Sequence, residues 1–515
     1  MGFFKKMLNN NRRSLTSQRA KDFIHEGQKV SPSIEENVAY IQDAMFHTAD
    51  LKTREISFNG KRGVLIFLNT TADFTKIEQC ILTPLSRTTG EKPLEEVITS
   101  PSVEKNDDLN KVIKEMIHGR VIIFFEGMKA YYVVKAYAIY KREVSEPYNE
   151  KVIRGSHEGF VENLIVNIHL IRKRIESRHL SVKYHTVGKD TKTKMAIIYM
   201  QNLANPDVVQ EVERRILSID ADSILSPGFV EEYLEGRTYS PFPQMLNTER
   251  PDRVMGNLME GRVAIIMEGS PSALIVPVTF SAFYQSPDDY NSRPLVSSFF
   301  RLIRFSSFLA ALLLPSFYIA VISFHYEVVP SALLFPMKSS VEYVPFPPLM
   351  EAFLLEVIIE LIREGGIRLP SPVGQTIGIV GGLVIGQSAV QAALVSNIMI
   401  IVVAVTAISS FVVPSNEMGG SVRILRFPMM VLAGLFGFLG IMTGLLLILI
   451  HLTRLESFGT PYFSPAIPFR LKDMKDTIVR LAVWQLNERP VDAQPQRLNQ
   501  ERYSRGWKRN AKRKK

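Results

Sequence analysis

Residues 369–416 contain no Asp, Glu, Lys, Arg or His, and this uncharged stretch limits the possible folds more than any other feature. A hydrocarbon core about 30 Å thick needs about 20 apolar residues per helix, so the stretch predicts two crossings, with a turn near Ser396 and Asn397. Two more uncharged runs, Phe305–Phe324 and Phe427–Ile450, flank it. Three such runs in one region predict a bundle of transmembrane helices rather than the buried helices of a soluble protein.

The residues before position 295 have the opposite character. Charged side chains recur there every few positions, so the mean hydropathy of +0.06 averages two unlike regions. The N-terminus has basic residues but no apolar core of signal-peptide length, and we therefore expect the first half to stay in the cytosol. The single Cys80 excludes an intramolecular disulfide framework and fits a reducing compartment. We predict no cofactor and no metal site.

The first half contains an internal repeat. Gly119–Gly127, with the sequence GRVIIFFEG, is echoed by Gly261–Gly269, with the sequence GRVAIIMEG, at an offset of 142 residues. Upstream, Val64–Leu68 matches Ala196–Met200 at an offset of 132 residues. Each copy predicts a strand, a helix and then a β-hairpin. The repeat therefore indicates two related α/β subdomains.

These patterns together predict an α+β cytosolic domain followed by an α-helical polytopic transmembrane domain. The predicted ranges are 1–34 for a flexible basic N-terminal segment, 35–145 and 146–295 for the two α/β subdomains, 296–455 for about four to six transmembrane helices, and 456–515 for a basic cytosolic tail. Residues 466–515 carry 14 Lys and Arg but only 5 Asp and Glu. Such a tail is either a solvated segment that obeys the positive-inside rule or one that docks on anionic lipid, and we expect no nucleic acid partner.

Motifs of common enzymes are missing from the sequence. It has no glycine-rich phosphate loop, no nucleophile elbow and no HExxH zinc motif. The pair His157 and Glu158 is interpreted as part of a loop with local hydrogen bonds rather than as a catalytic pair. We therefore predict that the protein is not an enzyme.

A four-residue glycine repeat lies within the uncharged stretch. At about 100° per residue the repeat forms a smooth stripe on one side of a helix, where backbones can approach closely. The predicted helix-packing glycines are Gly374, Gly378, Gly382 and Gly386. The opposite side carries the pore-lining candidates Thr376, Leu383, Gln387 and Gln391. Amides are costly against lipid, so this side lines either a helix contact or a water-filled path, and the residues alone leave both open.

The segment Val344–Gly366 predicts a bounded helix with prolines at its start and glycines at its end. Glu356, Glu360 and Glu364 share one of its faces, which would be costly against lipid. Inside an oligomer these glutamates would form a vestibule that attracts cations. The alternative is pairing with arginine on a helix that lies along the membrane interface.

Whether the number of membrane crossings is even or odd follows from the location of the first half and of the C-terminal tail. A cytosolic first half and a basic tail on the same side require an even number of crossings. Four segments fit this count: 296–324, 372–394, 397–414 and 427–450. Residues 328–337 and the glutamate helix would then be re-entrant or interfacial, and a count of six is the alternative.

Several motifs resemble the GerA-type spore germination proteins, specifically the A subunit of germinant receptors. The motifs are Ser240–Gln244 (SPFPQ), Asn247–Asp252 (NTERPD), Ser286–Tyr290 (SPDDY), Val344–Pro348 (VPFPP), Gly374–Gly378 (GQTIG), Gly386–Gln387 (GQ) and Ser457–Pro465 (SFGTPYFSP). The resemblance covers about residues 145–470, and the N-terminal subdomain and the extreme tails match more loosely.

The resemblance implies a bacterial protein of the spore inner membrane that assembles, as a pentamer, into a nutrient-gated channel for monovalent cations. Its partners would be a transporter-like B subunit and a lipoprotein C subunit, and Leu383 would form the pore constriction. The alternatives are a paralogous sporulation channel that amplifies ion release, a secondary transporter, and a scaffold that does not conduct. A transporter would need a binding site in the membrane half, whereas the repeat lies in the soluble half.

Overall fold

The computed structural model describes residues 28–88, 92–138, 146–147, 149–368, 382, 384, 386–501 and 504–505. The described chain forms two five-stranded antiparallel sheets, each covered by helices on both faces, and then a group of long apolar helices.

The first sheet has the strand order β1-β2-β4-β5-β3. Its strands are β1 (Leu51–Phe58), β2 (Lys61–Leu68), β3 (Val103–Asn106), β4 (Arg120–Phe125) and β5 (Tyr131–Lys135). Helices α1 (Ile34–Ala44) and α2 (Leu109–Ile117) cover one face, and the short helices Phe74–Ile77, Glu78–Leu82, Thr83–Arg87 and Leu94–Val97 cover the other. Because both faces are covered, β2 is apolar at consecutive positions instead of alternating.

The second sheet has the order β6-β7-β9-β10-β8. Its strands are β6 (Leu180–Val187), β7 (Thr193–Met200), β8 (Leu246–Thr248), β9 (Val263–Met267) and β10 (Ala273–Val276). Helices α3 (Leu164–Arg174) and α6 (Pro251–Glu260) pack on one face, and α4 (Pro206–Leu217) and α5 (Pro227–Leu234) pack on the other. Each predicted hairpin is present, as β4–β5 and as β9–β10.

The two sheets are equivalent in strand register as well as in order. Ile66 of β2 pairs with Ile122 of β4, and the sequence offsets carry this pair onto Ile198 of β7 and Ala264 of β9, which also pair. The repeat read from the sequence is therefore a repeat of the tertiary fold.

A buried ion pair joins the two sheet domains. Arg172 of α3 binds Asp50, which precedes β1, with Nε–Oδ2 and Nη2–Oδ1 distances of 2.7 and 2.8 Å. Burial by itself raises the pKa of Asp50, but the Arg172 guanidinium and the hydroxyls of Thr48 and Thr70 outweigh it, so the pKa lies below its usual value. The backbone N–H of Ala49 also donates to the second domain. The two domains are thus fixed to each other.

The apolar helices begin after two short turns, Phe280–Tyr284 and Asp288–Asn291. They are α7 (Pro294–Phe324), α8 (Ser331–Glu342), α9 (Pro348–Ile367), α10 (Asn397–Phe411) and α11 (Asn416–Arg454), with a 3-10 turn at Tyr326–Val328. Among the described residues, α7 and α11 are long and apolar enough to cross a membrane by length and composition.

Helix α11 differs from the single helix that we predicted over 427–450. It is broken at Gly437, which has a φ of 59°. A Cβ on Gly440 would overlap the carbonyl oxygen of Leu432, and one on Gly444 would overlap the sulfur of Met429. These positions meet only if the chain reverses. We therefore describe α11 as a helical hairpin whose tip is Gly437.

Residues 455–501, which we call the strap, return to the second sheet domain. They contain a small ladder of β11 (Glu456–Ser457) and β12 (Thr460–Pro461) and 3-10 turns at Asp473–Asp476, Val483–Gln485 and Val491–Ala493. Asp492 forms a buried ion pair of 2.9 Å with Arg262. The Ser457 hydroxyl donates to the Gln244 carbonyl oxygen at 2.8 Å. The segment predicted as a cytosolic tail therefore has a long part that packs on the folded domain.

Candidate functional site in the apolar helices

The predicted pore and packing residues are described only in part. Gly374, Thr376, Gly378 and Leu383 lie outside the described residues. Gln387 and Gln391 are exposed. A Cβ on Gly382 or Gly386 would meet no described atom within 4 Å. Within the described part of one chain this surface is open, and its roles in pore lining and helix packing stay predictions.

The glutamate helix α9 forms as predicted in extent but packs among α7, α10 and α11. Near its start, Leu349 contacts Gly434, close to the tip of the α11 hairpin. Towards its other end, Glu360 reaches Arg423, near the start of α11. Helix α9 therefore runs antiparallel to the first arm of α11 along most of its length.

Glu356 forms an ion pair with Arg426, and both residues are almost fully buried. Arg426 Nε also donates to the carbonyl oxygen of Ala311 in α7, at 2.8 Å. Two buried charges are tolerated only when each is paired and hydrogen-bonded, and here the pair forms between α9 and α11 with a further bond to α7. Glu356 Oε1 and Arg426 Nη2 have no hydrogen-bond partner among the described residues. Arg426 thereby connects α7, α9 and α11.

Pro315 explains why the Ala311 oxygen accepts this bond. In a helix, the N–H at position 315 would donate to the carbonyl of residue 311, but proline has no N–H. A free carbonyl in an apolar region costs free energy unless another donor reaches it. The Arg426 guanidinium supplies that donor.

Two further glutamates on this helix, Glu360 and Glu364, also face arginines. Glu360 Oε1 lies 3.3 Å from Arg363 Nη1, and Glu360 Oε2 lies 3.4 Å from Arg423 Nη1. Oε1 of the exposed Glu364 lies 2.6 Å from Arg368 Nη2. Within one chain these contacts correspond to the pairing alternative that the sequence left open. The cation-vestibule role of Glu356, Glu360 and Glu364 stays a prediction.

Glu351 binds the first turn of α10. Its carboxylate accepts hydrogen bonds from both the backbone N–H and the hydroxyl of Ser396, the latter at 2.6 Å. Ser396 is the N-cap of α10, and its hydroxyl oxygen also accepts from the N–H of Met399. A carboxylate at a helix N-terminus is stabilised by the helix dipole. The turn predicted near Ser396 and Asn397 coincides with the start of this helix.

Two features of the site were missed from the sequence. We treated Arg426 as the boundary of an apolar run, whereas it lies buried inside the bundle. The sequence signal for its position was Pro315, because a proline inside a helix leaves the carbonyl oxygen of residue 311 without its N–H donor. We also missed the reversal at Gly437. Its signal was the crowding of glycines at 434, 437, 440 and 444 in one apolar run.

Repeated α/β sheet domains joined to apolar helices that are linked by the buried Glu356–Arg426 ion pair define a two-part α+β protein. A sequence profile described as Bacillus/Clostridium GerA spore germination protein matches residues 39–492. The chain therefore belongs to the GerA family of spore germination proteins, as the motif resemblance predicted.

Three comparisons illustrate the relationship. The chain is 40% identical to Spore germination protein A1 of Bacillus subtilis (strain 168), covering 93% of this chain and 96% of that one. It is 37% identical to the uncharacterized membrane protein YfkQ of the same organism, covering 93% and 95%. The crystal structure of the N-terminal domain of the A subunit of the Bacillus megaterium spore germinant receptor GerK3 matches at 26% identity and a TM-score of 0.39, covering 50% of this chain and 99% of that one.

Proposed function

We propose that the protein is the A subunit of a spore germinant receptor in the spore inner membrane, and that several copies form an ion channel that releases monovalent cations. The observation that carries the proposal is the exposure of Gln387 and Gln391 in an otherwise apolar region of a GerA-family chain. Amides in a membrane require a polar partner or water. Closure of this surface by further copies around a water-filled path would supply both.

The contacts support six crossings rather than four. Both feet of the α11 hairpin lie at the second sheet domain, since Ser421 donates to the Pro241 carbonyl and His451 contacts the Ser240 hydroxyl at 2.8 Å. The tip at Gly437 lies against His325, just beyond the far end of α7. We propose that α7, α9, α10 and the two arms of α11 each cross once, and that the crossing predicted from the sequence over 372–394 is the sixth. The even count keeps the sheet domains and the strap on one side, which we assign to the cytosol.

The buried ion pair supports this role for α9. Inside the bundle Arg426 pairs with Glu356. Arg423 and Arg363 both pair with Glu360, so two carboxylates of a crossing α9 are compensated within the chain. The exposed amides of Gln387 and Gln391 lie between α9 and α10 in the sequence. Their surface is therefore available for contacts with other copies of the chain. We propose a pentamer, with a transporter-like B subunit that senses the nutrient and a lipoprotein C subunit as partners.

A second candidate is a paralogous channel that amplifies ion release. The chain is 37% identical to a relative described only as an uncharacterized membrane protein and 40% identical to Spore germination protein A1, so sequence identity alone does not single out the receptor role. Neighbouring genes for a ten-helix transporter-like protein and a lipoprotein would indicate a receptor operon. Their absence from the locus would favour the paralogue.

The test of the channel is the Leu383→Ala substitution in spores. We expect a wider constriction, with leak of cations or germination without nutrient. The matched control is Leu439→Ala, which truncates an exposed leucine of the hairpin outside the proposed pore stripe. Cation release identical to that of the parent in the Leu383 variant, at equal protein level, would refute the pore assignment. Purified oligomers that stay electrically silent in bilayers would favour a scaffold.

A further inference from the structure

Part of the strap forms an exposed surface that combines apolar and basic side chains. Phe469 and Leu471 are 65% and 74% exposed, and Val479 and Val483 are also exposed. Lys472 and Lys475 lie between them and are exposed too. Apolar side chains next to lysines are typical of segments that lie in a membrane interface.

The depth of this surface is fixed by its attachment to α7. Arg301 of α7 binds the Asp476 carboxylate at 2.8 Å, and the backbone N–H of Arg480 donates to the Ser298 hydroxyl at 3.1 Å. Arg301 precedes the uncharged run that begins at Phe305, and at 1.5 Å per residue the separation along the helix is about 6 Å. The headgroup layer on each side of a bilayer is about 5–8 Å thick. The attachment point therefore lies at headgroup depth.

The contacts that attach Asp476 of the strap are all made to the rest of the protein. Asp476 also accepts a hydrogen bond from the Tyr290 hydroxyl at 2.7 Å, and its backbone oxygen accepts from the Gln285 side chain at 2.7 Å. Asp476 is thus held against the protein, while Lys472 and Lys475 remain exposed on the outer side. The Lys472 ammonium also lies 3.5 Å from Glu488 Oε1, in a pair that is itself exposed. On α7, Phe299 and Phe300 are exposed at the same level, as expected of an aromatic belt.

We propose that strap residues 467–483 dock on the membrane surface that faces the sheet domains. Phe469 and Leu471 enter the boundary between headgroups and acyl chains, and Lys472 and Lys475 face anionic phospholipid headgroups. Docking would fix the sheet domains relative to the bilayer through Arg301 and Asp476. The inference rests on the proposed membrane location.

The test uses spin labels on the full chain in nanodiscs. The only cysteine, Cys80, is replaced by serine, and single cysteines are introduced as Leu471→Cys, Leu217→Cys and Leu446→Cys. Leu217 is an exposed leucine of the soluble half, and Leu446 is an exposed leucine of the hairpin. Collision rates with oxygen, which concentrates in lipid, and with a water-soluble nickel chelate report the depth of each label.

In nanodiscs that contain phosphatidylglycerol we expect the ratio of oxygen to nickel collisions at 471 to be several-fold higher than at 217. The variant Lys472→Glu/Lys475→Glu should lower this ratio, while Lys189→Glu/Lys192→Glu, a pair on the soluble half with the same spacing, should leave it unchanged. A label at 471 as accessible to nickel as that at 217 would overturn the docking. Equal protection at 471 in detergent and lipid, with no dependence on phosphatidylglycerol, would also overturn it by showing that protein covers the surface. Water exposure at 446 would instead refute the membrane location itself.

Discussion

Arg426 Nε lies 2.8 Å from the carbonyl oxygen of Ala311, which Pro315 leaves without a helical N–H. The same guanidinium binds the buried carboxylate of Glu356. The Arg426 side chain thus provides a hydrogen-bond donor for the unpaired carbonyl in α7 and a counter-charge for the carboxylate in α9. Arg426 therefore links the packing of α9 to that of α7.

Replacement of Arg426 should be strongly destabilising. In Arg426→Ala, the Glu356 carboxylate stays buried without a partner, and a loss of about 3–5 kcal/mol in the free energy of unfolding is expected. Thermal unfolding of the purified chain in detergent measures the loss. Arg454→Ala, which removes an exposed arginine at the end of the same helix, should change stability by less than about 0.5 kcal/mol.

The contact with Ala311 can be separated from the ion pair. Pro315→Ala restores the helical N–H, so the Ala311 oxygen no longer depends on Arg426. In that background Arg426→Ala should cost less than it does alone, and a double-mutant cycle gives the coupling energy. Strictly additive effects would contradict the proposed capping of Ala311.

The hairpin of α11 makes a second prediction. In Gly440→Ala, the new Cβ would overlap the Leu432 carbonyl oxygen in the opposite arm, so the arms must separate and the melting temperature should fall. Gly420→Ala is the matched control, because its Cβ would lie 3.6 Å from the nearest side-chain atom, an ordinary contact. That control should be neutral or stabilising by up to about 1 kcal/mol. Equal effects of the two alanines would mean that α11 does not reverse at Gly437.

The repeated sheets could be predicted because strand pattern and turn residues are local. Val64–Leu68 and Ala196–Met200 show apolar runs of strand length, and the glycine-bounded hairpins identify their partners. The outer strands β1 and β6 were not predicted, because exposed positions interrupt their apolar pattern. The pairing of Asp50 with Arg172 could not be predicted from the sequence either, because the two residues are far apart in the chain.

The site in the apolar helices was predicted less completely for a related reason. Composition identifies an apolar run, but it does not show whether a run such as Phe427–Ile450 is one helix or two. The Gly437 reversal depends on a positive φ at one residue and on contacts across the hairpin. The shared face of Glu356 and Glu360 follows from helical periodicity, whereas their arginine partners follow only from packing.

The junction of the two sheet domains makes a third prediction. Asp50→Ala leaves Arg172 buried without its carboxylate and should reduce the free energy of unfolding by about 3–5 kcal/mol. Asp43→Ala removes an exposed carboxylate that contacts His47 and should be nearly neutral. Thermal unfolding of both variants measures the difference. If the two substitutions were equally mild, the domains would not depend on this ion pair.

The last prediction concerns pH. Burial, together with the nearby carboxylates of Glu417 and Glu235, raises the pKa of Glu231 to about 8. The folded state therefore binds this proton more tightly than the unfolded chain, whose glutamates have a pKa of about 4.3. The resulting stabilisation is complete below about pH 4.3 and is lost as the pH rises through about 8.

Glu231→Gln removes this titration while retaining a side chain of the same size that can face Asn247. Near pH 4.5 we expect the variant to have the same melting temperature as the parent or a slightly lower one. At pH 8.5 we expect its melting temperature to be higher than that of the parent. The neighbouring exposed Glu232→Gln serves as the control and should follow the parent at every pH. Parallel curves of melting temperature against pH for parent and Glu231→Gln would show that Glu231 ionises normally in the folded chain, and that the nearby charge of Glu417 in α11 does not link its protonation to stability.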